Sequence, residues 1–466
     1  MTPHLHRTTT QRKEPFSSRA RIVAGLALSL AMSMTAGAQY RILHTFNGAV
    51  TLTERRASMK TLLGGFWVLT LLWLRTDVPA QDSKKVAPIV HAPAPACFTD
   101  NRQSLGSGDS WYIQLVDINA DGLLEAYFEG AIWQNDGHAH FTKTGQSFGS
   151  ADRPAYFADF NGDGFVDVVC DNVLFLNDGH GHFSERRNLP THIPMYSSHL
   201  ADLTGRGHVD IIVAGQAEDR VLLNDGKGNF TETGKGLGGW GQCTYAAGDI
   251  NGDGIPDVYV GIPHTPPPDM VPMNDKLWLG DGKGGFSEAP LNIRTRATRG
   301  VVLADFNGDG RMDLFLTSQI GESKVYFNDG RGNFTDSGQL LGAAPGGAAL
   351  AADFNNDGFL DVFVARGGPT DNGVPNLIWL NDGTGHFADS GLRLGHSNSI
   401  AAAVGDLNGD GKPDLFVANV KNVVTKTGPG FNEVWLNCGS AAVEPSPPPS
   451  GSPTPRRPHL GQKSPG

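Results

Sequence analysis

The chain has 466 residues, of which 61 are Gly, 29 are Pro and 39% are hydrophobic, a turn-rich composition that suits a large all-β globule. Residues 1–80 hold ten of the 37 Lys and Arg residues and three of the 48 Asp and Glu residues, so the remaining chain carries a formal charge of -18. An acidic surface without a basic patch argues against binding to nucleic acid.

The N-terminal part contains two segments with the pattern of an export signal. In the first, two Arg residues precede the apolar run 22–34, and the small residues 36–38 follow it. The second begins at Met59, continues through the apolar run 62–74 and ends at Ala80. A charged start, a short apolar run and small residues before a cleavage point are typical of secretory signal peptides.

We expect the second segment, residues 59–80, to be the working signal peptide, with residues 1–58 a mis-assigned or dispensable extension. The alternative is a membrane anchor, but the apolar run is short for a membrane span. We therefore expect a protein that is secreted, periplasmic or on the cell surface, without a membrane span after cleavage. The proline-containing segment 81–96 is expected to be a linker, and the Pro/Ser-rich segment 441–466 a disordered tail.

Between these flanks, the chain is organised around an acidic loop that runs from Asp159 to Asp167 with the sequence DFNGDGFVD. Its oxygen-bearing side chains alternate along the loop, and a glycine allows a sharp turn, which is the pattern of a calcium site. The loop recurs at Asp117, Asp249, Asp305, Asp353 and Asp406, with an altered copy at Asp202. Seven loops spaced 42 to 56 residues apart indicate a repeat protein.

Each repeat has four parts in a fixed order. A short strand of small apolar residues, such as 155–158, precedes the acidic loop, and a continuous apolar strand, such as 211–213, follows it. A hairpin comes next, as at 174–183, where Asn-Asp-Gly and a second Gly supply residues that tolerate positive φ. Four strands in each of seven repeats predict an all-β fold, a seven-bladed β-propeller of four-stranded blades.

These loops and hairpins resemble the FG-GAP or VCBS repeats of the integrin alpha-chain propeller and its secreted microbial relatives. The resemblance covers residues 97–440, where loop and hairpin recur together. It implies a seven-bladed propeller with calcium in the loops between first and second strands. In the second repeat it implies ligation by the side chains of Asp159, Asn161, Asp163 and Asp167, with the Phe165 carbonyl.

The resemblance implies about six calcium sites, in every repeat except the third. The expected side-chain ligands in the six repeats are Asp117, Asn119, Asp121 and Glu125; Asp159, Asn161, Asp163 and Asp167; Asp249, Asn251, Asp253 and Asp257; Asp305, Asn307, Asp309 and Asp313; Asp353, Asn355, Asp357 and Asp361; and Asp406, Asn408, Asp410 and Asp414. An EF-hand is excluded because it needs a Glu at position twelve, where these loops have apolar strand residues such as Val260.

Two loops depart from the pattern. In the first, Glu125 replaces the ninth-position Asp, which keeps the charge and lengthens the side chain by one methylene, so we expect binding there. In the third, Arg206 takes the place of a carboxylate. A guanidinium cannot ligate a cation but can pair with Asp202 and Asp210, so we expect this loop to be metal-free.

The ends of the repeat region predict how the ring closes. The last repeat stops midway through its hairpin at Cys438, and the first repeat is preceded by Cys97-Phe98-Thr99-Asp100, which copies the far side of the other hairpins. Aligned on the hairpin of the sixth repeat, Cys97 and Cys438 lie across one turn, within reach of a disulfide. The alternative is two free thiols. We expect Cys170 and Cys243 to be unpaired core residues.

No catalytic motif is evident, and His138, His140, His180, His182 and His386 all lie in repeated hairpin turns. Loops between second and third strands are long in three repeats and lie on the face opposite the acidic loops, where Trp240, Met270, Met273 and Phe431 could anchor a ligand. We expect a monomeric, calcium-stabilised binding or adhesion module for an extracellular carbohydrate or protein. The alternative is a secreted carbohydrate-active enzyme, such as a polysaccharide lyase, on the same scaffold.

Overall fold

The computed structural model describes residues 95–107, 110–149, 153–191, 195, 197–215, 218–234, 236–239, 243–264, 271, 273–342, 345–367, 373–421 and 430–439. The predicted signal peptide, most of the linker and the C-terminal tail lie outside these residues. The described chain forms 28 strands in seven separate four-stranded antiparallel sheets. No helix in it is long and apolar enough to cross a membrane. The predicted seven-bladed, all-β propeller is confirmed.

Each blade begins with a short first strand and continues into a second strand that is antiparallel to it. The first strands of blades one to seven are β2 (Gln114–Val116), β6 (Ala155–Ala158), β10 (Ser197–Ala201), β14 (Thr244–Gly248), β18 (Thr298–Ala304), β22 (Ala349–Ala352) and β26 (Asn398–Gly405). The second strands are β3 (Glu125–Phe128), β7 (Asp167–Cys170), β11 (Asp210–Ala214), β15 (Asp257–Gly261), β19 (Asp313–Ser318), β23 (Asp361–Val364) and β27 (Asp414–Val420).

The third and fourth strands form the hairpin of each blade. The third strands are β4 (Ala131–Asn135), β8 (Val173–Asn177), β12 (Asp219–Asn224), β16 (Lys276–Gly280), β20 (Lys324–Asn328), β24 (Leu377–Asn381) and β28 (Glu433–Asn437). The fourth strands are β5 (Phe141–Ser147), β9 (Phe183–Asn188), β13 (Phe230–Glu232), β17 (Phe286–Ala289), β21 (Phe334–Asp336), β25 (Phe387–Asp389) and, in blade seven, β1 (Phe98–Asp100).

The strand sequences explain where each strand lies in its blade. Second strands are continuous apolar runs because both of their faces are covered, and every residue of β7, β11 and β15 is buried. Neighbouring blades contact one another through their first strands, which therefore surround the centre of the ring. Small residues, such as those of β22, allow these strands to approach one another closely.

The hydrophobic core is divided into seven clusters, each of which lies between two adjacent blades. Val221 of blade three packs with Tyr245 of blade four, and Phe128 of blade one packs with Phe416 of blade seven. The aromatic rings of Phe128 and Phe416 are 5.4 Å apart. Each blade thus depends on its two neighbours for burial of its faces, as in other repeat proteins.

The ring closes as the sequence predicts. The N-terminal strand β1 pairs with β28, with Phe98 opposite Asn437 and Asp100 opposite Trp435. Cys97 and Cys438 form a disulfide across this pair, with Cα atoms 5.2 Å apart. The other two cysteines, Cys170 and Cys243, are buried and form no disulfide, as expected.

The strand directions give the ring two ends. We call the end with the acidic loops and the hairpin turns the loop face. Both features share this end, as predicted, because Asn224 in the hairpin of blade three donates to the carbonyl of Phe160 in the loop of blade two at 2.9 Å. The insertion face is the other end, formed by the loops between second and third strands and by the connections between blades, such as 290–297.

Candidate metal loops and ligand-binding face

The acidic loops each lie between the first and second strands of a blade, as predicted. In blade two, Asp159 accepts the N–H groups of Gly162 at 2.7 Å and Gly164 at 2.8 Å. Asp163 accepts the N–H of Phe165 at 2.9 Å. Both glycines have positive φ angles, 79° and 90°, which residues with a side chain rarely adopt. The turn therefore folds the carboxylates towards the backbone of their own loop.

The carboxylate at the ninth position begins the second strand and is buried. Asp167 accepts the N–H of Phe160 at 3.1 Å and the N–H of Asn177 at 2.9 Å. Burial, together with weaker repulsion from Asp163 and Asp159, raises the pKa of Asp167 to about 6. Equivalent contacts are made by Asp210, Asp257, Asp313, Asp361 and Asp414. This side chain thus ties the loop to the third strand of its own blade.

The donor set of these loops suits a hard cation. Each complete loop offers oxygen ligands, and a carboxylate oxygen that accepts one N–H group keeps a second lone pair. The carboxylates of one loop also repel one another. Burial raises the pKa of Asp361 to about 8, and repulsion from the negative charges of Asp357 and Asp353 adds to that rise. A divalent cation would relieve this repulsion, and calcium accepts such a set of oxygens in flexible geometry.

The acidic side chains of these loops are not arranged as a preformed metal site. Among the described residues, no group of three or more His, Cys, Asp or Glu side chains is placed to hold a metal ion. In two loops a basic side chain lies near the fifth-position carboxylate: Arg311 is 3.3 Å from Asp309, and Lys412 is 3.0 Å from Asp410. These exposed pairs are weak. Binding of calcium would therefore exchange such contacts for contacts with the ion.

The loop of blade one contains a buried carboxylate oxygen without a partner. Glu125 is 1% exposed, and its Oε2 accepts the N–H of Ile118 at 3.2 Å, while Oε1 has no hydrogen-bond partner. Burial raises the pKa of Glu125 to about 7. The side chain borders a cleft of about 400 Å³ that Asn119 and His180 also line. An unpaired buried oxygen beside other oxygen ligands fits a cation at this loop.

The loop of blade three contains a basic side chain in place of a carboxylate. The Arg206 Nε donates to the Thr204 hydroxyl at 2.8 Å, and its Nη2 donates to the carbonyl of Asn224 at 3.2 Å. Asp202 is 5% exposed and Thr204 is 8% exposed. The pKa of Asp210 is raised to about 6 by burial, and the charge of Arg206 opposes that rise. Arg206 thus supplies a positive charge to this loop. That the loop binds no metal stays a prediction.

An asparagine at the end of the third strand joins adjacent blades on the loop face, and the sequence interpretation missed it. Its side-chain N–H donates to a loop carbonyl of the preceding blade, at 2.8 to 3.0 Å. The six pairs are Asn135 with Leu407, Asn177 with Ile118, Asn224 with Phe160, Asn328 with Ile250, Asn381 with Phe306, and Asn437 with Phe354. In blade four the position is Gly280. The first pair spans the closure of the ring.

Buried polar residues perform the corresponding role on the insertion face, just before or at the start of a third strand. Asp219 accepts the N–H of Gly239 at 2.9 Å and the hydroxyl of Tyr245 at 3.1 Å, both in the connection to blade four or its first strand. Asn432 donates to the Ser110 hydroxyl at 2.8 Å, which joins blade seven to blade one. Isolated polar residues before a strand form no pattern that the sequence alone would reveal.

The predicted ligand anchors on the insertion face are only partly described. Trp240 and Met270 lie outside the described residues. Met273 is 37% exposed and Phe431 is 48% exposed, consistent with their expected position at the surface. Trp111, in the connection to the first strand of blade one, is 39% exposed and was not singled out in the sequence.

The hairpin histidines do not form a cluster with a shared role. His138, His140, His180, His182 and His386 are all exposed at the turns of three different blades. His182 lies 3.5 Å from Asp178 of its own turn. The structure therefore places these side chains where the sequence predicted, on hairpin surfaces.

A family model described as an FG-GAP-like repeat matches residues 202–260, 270–316, 305–364 and 353–417. These matches run from the acidic loop of blade three to the second strand of blade seven. No curated protein matches the chain significantly.

Several solved structures are similar to this chain. A lectin from Agrocybe aegerita, described as recognising non-reducing terminal N-acetylglucosamine, has 20% sequence identity and a TM-score of 0.46, over 67% of this chain and 86% of the lectin chain. Virginiamycin B lyase from Staphylococcus aureus has 12% identity and a TM-score of 0.46, over 73% of this chain and 99% of the lyase chain.

Proposed function

The chain is an FG-GAP repeat protein, and from that premise we propose that it is a secreted, calcium-stabilised module that binds a carbohydrate or protein ligand through its insertion face. A propeller fixes its loops on a rigid ring, which is a common arrangement for ligand binding. The Cys97–Cys438 disulfide supports export, because such bonds persist in oxidising compartments.

The distribution of exposed apolar side chains supports the insertion face as the ligand-binding surface. The described residues contain eight exposed large hydrophobic side chains, of which two, Phe165 and Phe359, lie in acidic loops of the loop face. The other six lie in segments of the insertion face: Trp111, Val271, Met273, Ile320, Leu340 and Phe431. Exposed apolar groups that concentrate on one surface are typical of interaction sites.

The base of this surface is well anchored near the closure of the ring. Trp111 follows Ser110, and Phe431 precedes Asn432, so the two aromatic residues flank a buried hydrogen bond of 2.8 Å. Ser110 also donates its N–H to the carbonyl of Asn419 at 3.1 Å. Aromatic side chains on a fixed base lose little conformational entropy when they bind a ligand, which favours their use as anchors.

The proposal is tested by comparing apolar substitutions on the two faces. A Trp111→Ala/Phe431→Ala variant is measured against a panel of immobilised polysaccharides and extracellular proteins, with a Phe165→Ala/Phe359→Ala variant as the matched control. We expect the first variant to lose binding by about tenfold or more and the control to retain it. Equal binding by both variants would refute the choice of face.

The same panel addresses enzymatic activity. Any polysaccharide that binds is incubated with the protein, and its products are separated by size. We expect the polysaccharide to remain intact, whereas depolymerisation would replace the binding function with that of a carbohydrate-active enzyme.

A further inference from the structure

The insertion face carries a group of arginines in an otherwise acidic protein. Arg294, Arg296 and Arg299 lie within six residues, in the connection between blades four and five and the start of β18. Arg294 and Arg296 are exposed, whereas Arg299 is partly buried in the first strand, which borders the centre of the ring. Because residues 81–466 carry a formal charge of -18, this positive group stands out from its surroundings.

Arg299 occupies an irregular position in its strand. The pairing of β18 with β19 shifts register between Thr298 and Gly300, so Arg299 is the extra residue of a β-bulge. A bulge leaves one residue out of the ladder and changes the direction of its side chain, and bulges are frequent beside functional sites. The bulge places Arg299 at the end of the inner strand that belongs to the insertion face.

The guanidinium of Arg299 is held by a neutral partner. Its Nε and Nη2 donate to the same oxygen, Oε1 of Gln319, at 3.2 and 3.1 Å. Among the described residues, no carboxylate forms an ion pair with Arg299. Burial lowers its pKa, since the charged form loses hydration there. A guanidinium has five N–H donors, so three remain for another acceptor.

We propose that Arg299 binds the carboxylate of an acidic saccharide, such as a uronate, on the insertion face. This inference rests on the proposed function and narrows its ligand class. The planar guanidinium matches a carboxylate in shape and charge, and Gln319 fixes its orientation beforehand. The exposed aromatic rings of Trp111 and Phe431 on the same face suit the apolar faces of sugar rings.

The test measures binding of sodium polygalacturonate to the full chain by calorimetry, beside its methyl ester, dextran sulfate and polyglutamate. Wild type should bind polygalacturonate and bind the other three polymers more weakly. Arg299→Gln should weaken that binding by about 10- to 100-fold, as expected for loss of charge-assisted hydrogen bonds. Arg331→Gln, which removes the same charge from an exposed hairpin turn of the loop face, should leave it unchanged. Thermal unfolding of each variant checks its folding.

A second variant tests the site without removing the arginine. Gln319→Glu supplies an internal carboxylate to Arg299, so it should abolish binding of polygalacturonate while thermal stability is maintained. Failure of wild type to bind polygalacturonate, equal affinity for dextran sulfate or polyglutamate, or unchanged binding in both Arg299→Gln and Gln319→Glu would overturn the inference. If the inference about Arg299 failed in this way but Trp111→Ala/Phe431→Ala still lost binding to a ligand of the panel, the proposed function would be retained.

Discussion

At the scale of single residues, the hairpin asparagine shows what a local pattern omits. The Asn-Asp-Gly sequence predicted residues that tolerate positive φ, and within the hairpin turn 177–182 of blade two only the glycines adopt positive φ, with 82° at Gly179 and 75° at Gly181. Asn177 instead donates to Ile118, 59 residues away in the preceding blade. That acceptor cannot be identified from the chain because it depends on how adjacent blades are spaced.

Replacement of this asparagine should destabilise the ring. Asn224→Ala removes the donor to the carbonyls of Phe160 and Val209, at 2.9 and 3.1 Å, and leaves both carbonyls without that partner. We expect a loss of about 1 to 3 kcal/mol in the free energy of unfolding, measured with denaturant. The control is Asn229→Ala, at an exposed turn position, where the loss should be below about 0.5 kcal/mol. Similar losses in the two variants would contradict the role of Asn224.

The buried carboxyl of Asp210 should make stability depend on pH. Its pKa is raised to about 6 in the folded chain from the ordinary 3.8, mainly by burial. The folded state therefore binds the proton more tightly, and this contribution to stability is complete below pH 3.8 and is lost as the pH rises through 6.

The corresponding experiment compares wild type with Asp210→Asn, which cannot titrate at this site. The unfolding free energy of wild type minus that of Asp210→Asn should be about 2 kcal/mol larger at pH 4 than at pH 8. A difference that does not change with pH would show that the carboxyl has an ordinary pKa.

At the scale of strands and loops, the sequence predicted most of the architecture. Acidic loops, apolar second strands and hairpins occur where their residues indicated, because each follows from a local pattern of turn residues and apolar runs. The anchors of the insertion face were missed. Asp219 and Asp275 are single buried acids whose partners, such as Tyr245 and Thr298, belong to the next blade.

The loop of blade three offers a direct test of the calcium proposal. Arg206→Asp would place a carboxylate at the fifth position, beside Asp202, Thr204 and Asp210. If the other loops bind calcium, this variant should bind one more ion per chain than wild type, measured by metal analysis after dialysis. Arg220→Asp, outside the loop, serves as the control. An unchanged number of ions would contradict the prediction that Arg206 replaces a metal.

At the scale of the whole molecule, the ring has no terminal blade. Each of the seven core clusters joins two neighbours, and the cluster between blades one and seven is built like the others. Closure therefore stabilises every junction together. The Cys97–Cys438 bond supports it by linking residues 341 apart.

Removal of this bond should weaken the ring as a whole. The chain-entropy model gives a stabilisation of roughly 6 kcal/mol for a loop closed by residues 341 apart. We expect Cys97→Ser/Cys438→Ser to lower the midpoint of thermal unfolding, and dithiothreitol to lower the midpoint of wild type but not of the variant. If dithiothreitol lowered the midpoints of both proteins equally, its effect would not come from reduction of the Cys97–Cys438 bond.

The closing strand pair also fixes where the flanking segments join the propeller. Cys438 donates its N–H to the carbonyl of Cys97 at 3.0 Å, at the hairpin end of blade seven, so the chain enters and leaves the ring side by side on the loop face. A tether attached through either flank would hold the propeller by this end. The insertion face would then be displayed outward, away from the point of attachment and open to a ligand.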